Sequence, residues 1–187
     1  MKPYIPTIRE NPKVVNVLSA WDDIPTILKD IITRFNINPE LALEFGVMYG
    51  YSTSALAFYF KKVIGIDTFR FDIYDNDQTR PSEYEKVKEI LKVCPNITLI
   101  EAKYQDIIKN NKDYGKVDLI HIDMIHSYKD TYDPGEWAVR HSDCVIFHDT
   151  VSCSAEVVPA LADLAKKYNL EFYNYKRSNG LGILVRK

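Results

Sequence analysis

Two short segments of the sequence place an acidic residue close to a histidine at the end of an apolar run. Asp123 ends one run and His126 follows it, while His148 ends the next and Asp149 follows it. Carboxylates at neighbouring strand ends can bind a hard divalent cation, and an imidazole suits the removal of a proton from an acceptor. We therefore predict that these four residues meet at one site. The alternative is that His126 only caps a helix and that Asp123 contacts only a cofactor.

The segment Glu44–Thr53 forms a glycine turn that could bind a small ligand. Gly46 and Gly50 are two of only seven glycines in the chain. We expect Gly46 to allow a tight turn and Gly50 to let a ligand approach the backbone, while Ser52 can cap the following helix. A dinucleotide needs a further glycine where Met48 stands. S-adenosylmethionine has no pyrophosphate and makes no such demand, so an NAD-type oxidoreductase is disfavoured.

Asp67 ends the next apolar run of the chain. A carboxylate at such a place can accept hydrogen bonds from both hydroxyls of a ribose, although an acid there can also cap a helix or lie in a loop. Because Asp67 comes shortly after the glycine turn, we favour the ribose interpretation.

These residues must be positioned by a sheet, because short apolar runs alternate with helical patterns along the chain. Continuous apolar runs are typical of strands that are buried on both faces of a parallel sheet. The runs are Leu41–Val47, Val63–Asp67, Ile97–Glu101, Val117–Asp123 and Cys144–His148. Ligands bind beyond the carboxyl ends of such strands, so we expect the acids, the histidines and the glycine turn at one edge of the sheet.

Helical patterns lie between and around these runs. An apolar stripe from Asp22 onward predicts one helix. Ser82–Val93 predicts another, with a capping box formed by Ser82 and Glu85. A third is predicted near Val157–Tyr168. The alternation of strands and helices indicates a three-layer α/β domain.

The end of the chain has a different pattern. Two strand-like runs, Leu170–Lys176 and Gly180–Arg186, are joined by a turn that contains Asn179–Gly180, which predicts an antiparallel hairpin. We therefore expect one domain over residues 1–187, with 1–20 as an arm lying over the core of 21–187.

Composition and charge exclude several functional classes. The chain has 24 Lys and Arg against 26 Asp and Glu, a net charge of −2, so it lacks the basic excess of a dedicated nucleic-acid binder. No stretch reaches the roughly 20 apolar residues of a membrane-spanning helix. Cys94, Cys144 and Cys153 are widely spaced and indicate neither a disulfide framework nor a CxxC metal site. The expected location is the reducing cytoplasm.

Four ordered motifs resemble class I S-adenosylmethionine-dependent methyltransferases. They are Ala42–Gly46 with Gly50–Thr53, Ile64–Phe69, Ile122–Tyr128 and Phe147–Asp149. The sequence is most similar to small O-methyltransferases and cephalosporin-hydroxylase-like proteins that carry an IDGDHSY-type motif, and the resemblance extends from Leu41 to the C-terminus. It implies a Rossmann-like methyltransferase fold with a seven-stranded, mostly parallel sheet whose last strand is antiparallel.

The resemblance also implies which residues bind S-adenosylmethionine. Glu44, Gly46 and Gly50 would line the methionine part of the cofactor, Ser52 would lie near it, and Asp67 would hold the ribose.

A second set of implied roles concerns a metal and the chemistry. Acids that bind magnesium in metal-dependent relatives fall at Asp123 and Asp149, and His148 stands where some of them have another acid. Asp123 would also border the cofactor, and His126 or the metal would assist removal of the acceptor's proton.

The sequence departs from the family pattern at three places. The usual Gly-Asp of the IDGDHSY-type motif is Met124–Ile125 here, and the Pro-Gly-Gly turn before the fifth run is replaced by residues 140–143. The Gly-Asp after the third run is Ala102–Lys103, so Gln105 or Asp106 would take over the contact to adenine.

Our leading hypothesis is methyl transfer to a hydroxyl of a small molecule or sugar. The altered motif at Met124–Ile125 keeps an alternative open, a module that binds S-adenosylmethionine without transferring its methyl group. Residues 69–81 could form a lid over the acceptor or simply a surface loop. The sequence fixes neither the acceptor nor the oligomeric state.

Overall fold

The computed structural model describes residues 1–70, 81–110 and 114–187. Most of the segment 69–81, which includes Phe71, Tyr74 and Arg80 of the predicted lid, lies outside these residues. The described part forms one sheet of eight strands with helices on both faces. The three-layer α/β architecture is therefore confirmed.

The strands follow the predicted apolar runs. They are β1 (Lys2–Pro3), β2 (Leu41–Phe45), β3 (Lys62–Asp67), β4 (Ile97–Glu101), β5 (Leu119–Ile122), β6 (Cys144–His148), β7 (Leu170–Tyr175) and β8 (Leu181–Arg186). Their order across the sheet is β1-β7-β8-β6-β5-β2-β3-β4. All neighbours are parallel except that β8 runs antiparallel to β6 and β7, so the predicted C-terminal hairpin is also confirmed.

The prediction of seven strands was one short. β1 adds a parallel edge strand in which Lys2 pairs with Tyr173 and Pro3 with Asn174. Two residues, one of them a proline, are too few to give a strand pattern in the sequence. The N-terminal arm thus begins as part of the sheet.

Helices cover both faces of this sheet. They are a 3₁₀ turn (Ile24–Ile27), α1 (Leu28–Arg34), α2 (Tyr51–Tyr59), α3 (Tyr84–Leu91), α4 (Tyr104–Lys109), α5 (Tyr128–His141) and α6 (Ser154–Tyr168). The 3₁₀ turn with α1 and α2 packs on one face, and α4, α5 and α6 pack on the other. No helix among the described residues is long and apolar enough to cross a membrane.

The strand runs are continuously apolar because both faces are covered. In β2, Ala42 packs into the cluster on the α1 and α2 side, while Leu43 and Phe45 pack into the cluster on the α5 and α6 side. All three side chains are fully buried. The pattern of a parallel strand in the sequence is therefore the direct result of this layering.

The predicted capping box at the start of α3 is wrong. The Ser82 hydroxyl accepts a hydrogen bond from the backbone N–H of Tyr84 at 3.2 Å, not from Glu85. Glu85 instead pairs with Lys88 across the exposed helix surface at 3.5 Å. The helix begins later than the box requires, because the backbone N–H of Glu83 is held by the carbonyl of Phe69 at 2.7 Å.

A buried carboxylate on α1 fastens the N-terminal arm. Asp30 is 1% exposed and accepts hydrogen bonds from the Tyr4 hydroxyl at 2.5 Å and from the backbone N–H groups of Thr7 and Ile8 at 3.0 and 2.9 Å. Arg34 lies 3.0 Å from it. Burial alone would raise the pKa of Asp30, but these hydrogen bonds outweigh it and hold the pKa below its usual range.

We expect Asp30→Ala to destabilise the protein by roughly 2–3 kcal/mol, because several donors lose a buried charged acceptor. Urea denaturation measures the loss. The matched control is Glu40→Ala, whose exposed ion pair with Lys61 is worth less than about 1 kcal/mol. Equal effects of the two substitutions would contradict a fastening role for Asp30.

Candidate active site

The candidate residues all lie at the carboxyl edge of the sheet, around the point where the strand order reverses. From β2, the chain continues to β3 on one side, while β5 and β6 lie on the other. In parallel sheets of this kind the crevice at such a point binds ligands. The glycine turn leaves β2, Asp67 ends β3, Asp123 follows β5, and His148 ends β6.

The glycine turn depends on a close approach between two strand exits. Gly46 has a φ of +92°, and a Cβ at this position would lie 1.7 Å from the backbone oxygen of Asp123. A side chain is therefore excluded both by the backbone conformation and by the neighbouring strand. The predicted tight turn at Gly46 is present. Its closest neighbour is Asp123, the first of the candidate metal-binding and catalytic residues.

Packing against α3 explains the glycine at position 50. Its φ is +87°, and a Cβ here would lie 2.7 Å from the side chain of Leu91 on α3. The predicted contact of Gly50 with a cofactor stays a prediction. Gly50 also serves as the N-cap of α2, so the predicted capping role of Ser52 is wrong.

Glu44 is fully buried and holds three elements together. Its carboxylate accepts hydrogen bonds from Ser52 at 2.5 Å and from Thr53 on α2, and it lies 2.8 Å from Nδ1 of His121 on β5. A buried carboxylate needs such partners to offset the loss of water. Contact of Glu44 and Ser52 with a cofactor stays a prediction.

Sequence reasoning missed Trp21, which lies three residues before the 3₁₀ turn. Its ring is buried, with its centroid 4.5 Å from that of His121 and 6.1 Å from that of His148. Among the described residues, neither Trp21 Nε1 nor His121 Nε2 has a hydrogen-bond partner. A signal was present in the sequence, because Trp21 precedes Ile24 by three positions and so extends the predicted apolar stripe.

Asp67 connects the end of β3 to the glycine turn. One carboxylate oxygen accepts hydrogen bonds from the backbone N–H groups of Val47 and Met48 at 2.7 and 2.9 Å, and the other accepts one from Phe69 at 2.9 Å. Burial raises the pKa of Asp67 despite these bonds. The backbone N–H of Thr68 also acts on this carboxylate. The side chain is only half-buried, and its contact with a ribose stays a prediction.

Gln105 and Asp106 lie in α4, which follows the exit of β4, and both are exposed. The backbone N–H of Ala102 donates to the carbonyl of Asp67 at 2.9 Å, so α4 starts close to the proposed ribose site. The adenine contact of Gln105 or Asp106 stays a prediction.

Asp123, His148 and Asp149 converge as the sequence predicted. They follow or end the paired strands β5 and β6, and one ligand atom from each lies within 4.8 Å of the other two. His148 Nδ1 is 3.2 Å from Asp123 Oδ2 and 3.2 Å from Asp149 Oδ2. Two carboxylates and one imidazole thus face a common point.

The ring of His148 is oriented from its far side. Nε2 of this 4% exposed residue lies 2.9 Å from the backbone oxygen of Ser178. A carbonyl only accepts, so Nε2 donates, and Nδ1 presents a lone pair to the two acids unless a proton or a cation lies between them. Burial would lower the pKa of His148, but Asp123 and Asp149 outweigh it and raise it to about 10.

His126 joins this group through Asp149. Its Nε2 lies 2.6 Å from Asp149 Oδ2 and 3.8 Å from Asp123 Oδ1. The helix cap that was the alternative role of His126 belongs to Ser127, whose hydroxyl accepts from the N–H of Asp130. Burial would raise the pKa of Asp149, but its contacts with His148, Ser152 and His126 lower it, so an acid–imidazole pair is assembled.

We expect Gly46→Ala to destabilise the protein by roughly 2–4 kcal/mol, because the new Cβ clashes with the Asp123 backbone and the φ is strained. Chemical denaturation measures this. Gly115→Ala is the control, since Gly115 also has a positive φ but a Cβ there lies within 4 Å of no atom of the described residues, so only about 1–2 kcal/mol is expected. Equal losses of stability in the two variants would show that the Asp123 backbone moves to make room for the new Cβ, and would contradict a fixed contact between the two strand exits.

Comparison with known proteins agrees with the overall fold. No curated protein matches the sequence. Among solved structures, the chain is similar to the O-methyltransferase TomG from Streptomyces achromogenes, in complex with S-adenosylmethionine (TM-score 0.63, 14% identity, 90% of this chain and 82% of that chain). It is also similar to an O-methyltransferase from Bacillus cereus in complex with S-adenosylhomocysteine (TM-score 0.59, 16% identity, 91% and 83%). At these identities the likeness concerns the fold.

The family is shown by the sequence and not by these structural similarities. The model of a family described as a methyltransferase domain matches residues 43–150, which is more than half of the chain and contains the glycine turn, Asp67, Asp123, His126, His148 and Asp149. This chain belongs to that methyltransferase-domain family.

Proposed function

We propose that the protein transfers the methyl group of S-adenosylmethionine to a hydroxyl of a small molecule or sugar. The observation that carries this proposal is the His126–Asp149 pair, 2.6 Å apart. His126 follows β5, which is paired with β2, and the glycine turn leaves β2. A carboxylate that holds one nitrogen of an imidazole orients the other nitrogen to accept a proton. The three cysteines are unpaired, which agrees with the reducing cytoplasmic setting we propose.

The cofactor would be held by the glycine turn and its supports. Asp67 would accept from the ribose hydroxyls, the turn at Gly46 with Glu44 and Ser52 would border the methionine part, and Gln105 would reach the adenine. The partial exposure of Asp67 at the end of β3 and its hydrogen bonds to the backbone of Val47 and Met48 in the glycine turn support this arrangement. When bound, S-adenosylmethionine supplies a methyl group that is already activated on a sulfonium.

The chain's own task is then alignment and proton removal. The acceptor oxygen forms a bond to the methyl carbon while the carbon–sulfur bond breaks, leaving S-adenosylhomocysteine. The acceptor's proton passes to the free nitrogen of His126, whose other nitrogen is held by Asp149. Holding the reacting groups in line provides much of the rate enhancement in such a transfer.

A magnesium ion would be held by Asp123, Asp149 and Nδ1 of His148. The two carboxylates fit, because Mg²⁺ needs only one or two carboxylates besides water. Nδ1 of His148 would join them once a cation replaces its proton, since the Ser178 carbonyl holds Nε2 and keeps Nδ1 turned toward the acids. Such an ion would supply positive charge next to the acceptor oxygen.

We expect S-adenosylhomocysteine to bind and to raise the melting temperature, since ligands of the folded state stabilise it. Asp67→Asn should weaken this binding about 10–100-fold by removing charge-assisted hydrogen bonds to the ribose, as measured by calorimetry. Asp118→Asn is the control, because Asp118 also bonds a backbone N–H, that of Leu41, but precedes β5. An unchanged affinity in Asp67→Asn would place the ribose elsewhere.

We expect Mn²⁺, used as a paramagnetic probe for Mg²⁺, to bind and to be lost in both Asp123→Asn and Asp149→Asn. Electron paramagnetic resonance of free Mn²⁺ measures the binding. Affinity should rise with pH, because the cation replaces a proton on His148. The control is Asp133→Asn, an acid that pairs with Lys129 on the exposed face of α5; an equal loss there, or none in the two test variants, would argue against the site.

We expect His126→Ala to lower turnover by about 10²–10⁴-fold, the usual cost of losing a general base, with little change in affinity for S-adenosylhomocysteine. Formation of S-adenosylhomocysteine with an acceptor found by screening measures the rate. His141→Ala, at the other end of α5, should leave the rate unchanged. Near-normal turnover of His126→Ala would remove the base from the mechanism, and absence of any turnover in the native protein would favour a binding module.

A further inference from the structure

We infer that Asp22 and Ser178 are positioning residues of the candidate active site. They join the segment that follows the N-terminal arm (Trp21–Asp23, the arm junction) to the β7–β8 turn (Arg177–Gly180), and so hold the ring of His148 in place. The inference rests on the proposed magnesium site and names two residues outside it on which that site depends. Both act through His148, whose Nδ1 faces the two acids.

The β7–β8 turn has a backbone conformation that requires support. A hydrogen bond from the N–H of Gly180 to the carbonyl of Arg177 at 2.9 Å closes the turn. Its central residues, Ser178 and Asn179, have φ values of +49° and +62°. Asn adopts this left-handed region more readily than Ser does, and a residue held there persists only where its surroundings fix it. Ser178 is therefore the position in the turn at which a contact from outside matters most.

The arm junction provides that contact. The hydroxyl of Ser178 donates to Asp22 Oδ1 at 2.7 Å and accepts from the backbone N–H of Asp23 at 3.2 Å. Asp23 is itself held, because its carboxylate accepts from Arg9 at 2.7 Å and from the hydroxyl of Tyr175, the last residue of β7. The turn is thus bound to a segment that is fastened to the sheet.

The backbone of the turn carries this support to the candidate active site. The carbonyl of Ser178 accepts from Nε2 of His148 at 2.9 Å, and the carbonyl of Asn179 accepts from the N–H of Val151 at 2.8 Å. These two bonds hold the chain on both sides of Asp149, whose own φ is +61°. The turn therefore fixes the ring of His148 together with the loop that carries Asp149.

The arm junction also packs against His148 directly. Trp21, the neighbour of Asp22, is 1% exposed, and its ring centroid lies 6.1 Å from that of His148. The groups that hold the far side of a ligand imidazole are worth about 10–100-fold in metal affinity. Because Asp22 and the Ser178 hydroxyl act one step further from the ring, we expect about tenfold from each.

Two variants, Ser178→Gly and Asp22→Ala, test this inference. Glycine adopts a positive φ without strain, so Ser178→Gly keeps the turn and the net charge and removes only the hydroxyl. Affinity for Mn²⁺, measured by electron paramagnetic resonance, should fall about tenfold in each variant, while affinity for S-adenosylhomocysteine is unchanged. The matched control is Asp143→Ala, which removes an acid at the amino end of β6, where it pairs with Arg186 at 2.8 Å. This control should bind Mn²⁺ as the native protein does.

A spectroscopic signature separates positioning from a purely structural role. Pulsed electron paramagnetic resonance of bound Mn²⁺ detects the nitrogen of a coordinating imidazole. We expect this nitrogen signal in the native protein, its loss in His148→Gln, and a weaker signal in Ser178→Gly and Asp22→Ala at saturating Mn²⁺.

Three results would overturn the inference. The first is an unchanged nitrogen signal and Mn²⁺ affinity in Ser178→Gly and Asp22→Ala, even if both variants are less stable. The second is a nitrogen signal that persists in His148→Gln, since the nitrogen would then belong to another residue. The third is absence of Mn²⁺ binding by the native protein, which overturns the proposed magnesium site as well. Absence of S-adenosylhomocysteine binding would instead contradict the proposed cofactor site.

Discussion

The close approach of the β2 exit to the backbone of Asp123 is the constraint on which the site depends. No atom larger than hydrogen fits on Gly46 at this place, and backbone hydrogen bonds fix both sides, from Gly46 to Ile66 at 3.0 Å and from Asp123 to Phe45 at 2.8 Å. Since β3, β2 and β5 are joined in this way, the glycine turn and Asp123 cannot move independently. The spacing between the proposed cofactor site and the proposed catalytic residues is therefore set by the backbone.

The buried carboxylate of Glu44 stabilises the contact between β2 and β5. Glu44 and His121 are paired in register on β2 and β5, and the same carboxylate binds Ser52 and Thr53 at the start of α2. A buried charge without partners is costly, so each donor must stay in place while Glu44 is ionised. The orientation of α2 against the two central strands is thus specified by hydrogen bonds as well as by apolar packing.

The sequence predicted the parts of the site that depend on local pattern. Asp67, Asp123, His148 and Asp149 were located because each follows an apolar run, and parallel strands bring such ends together. It could not show that Glu44 faces His121, or that the Ser178 carbonyl holds His148, because these contacts join distant segments. Ser52 was predicted to cap α2 because Ser is common at N-caps. Its hydroxyl instead donates a hydrogen bond to the buried carboxylate of Glu44. Trp21 lies three residues before Ile24 and so extends the apolar stripe of the predicted helix, but its contact with His121 joins distant segments.

The arm contacts residues that are synthesised much later than itself. Lys2 pairs beside Tyr173, and Asp22 bonds to Ser178, 156 positions away. During synthesis the arm can form its contacts with Asp30 on α1 early. Its partners on β7 and in the β7–β8 turn do not exist until much later in translation. Contacts of such long separation form late and slowly. The edge of the sheet consequently stays open on an unfinished chain, and the walls around His148 close only when the final strand is in place.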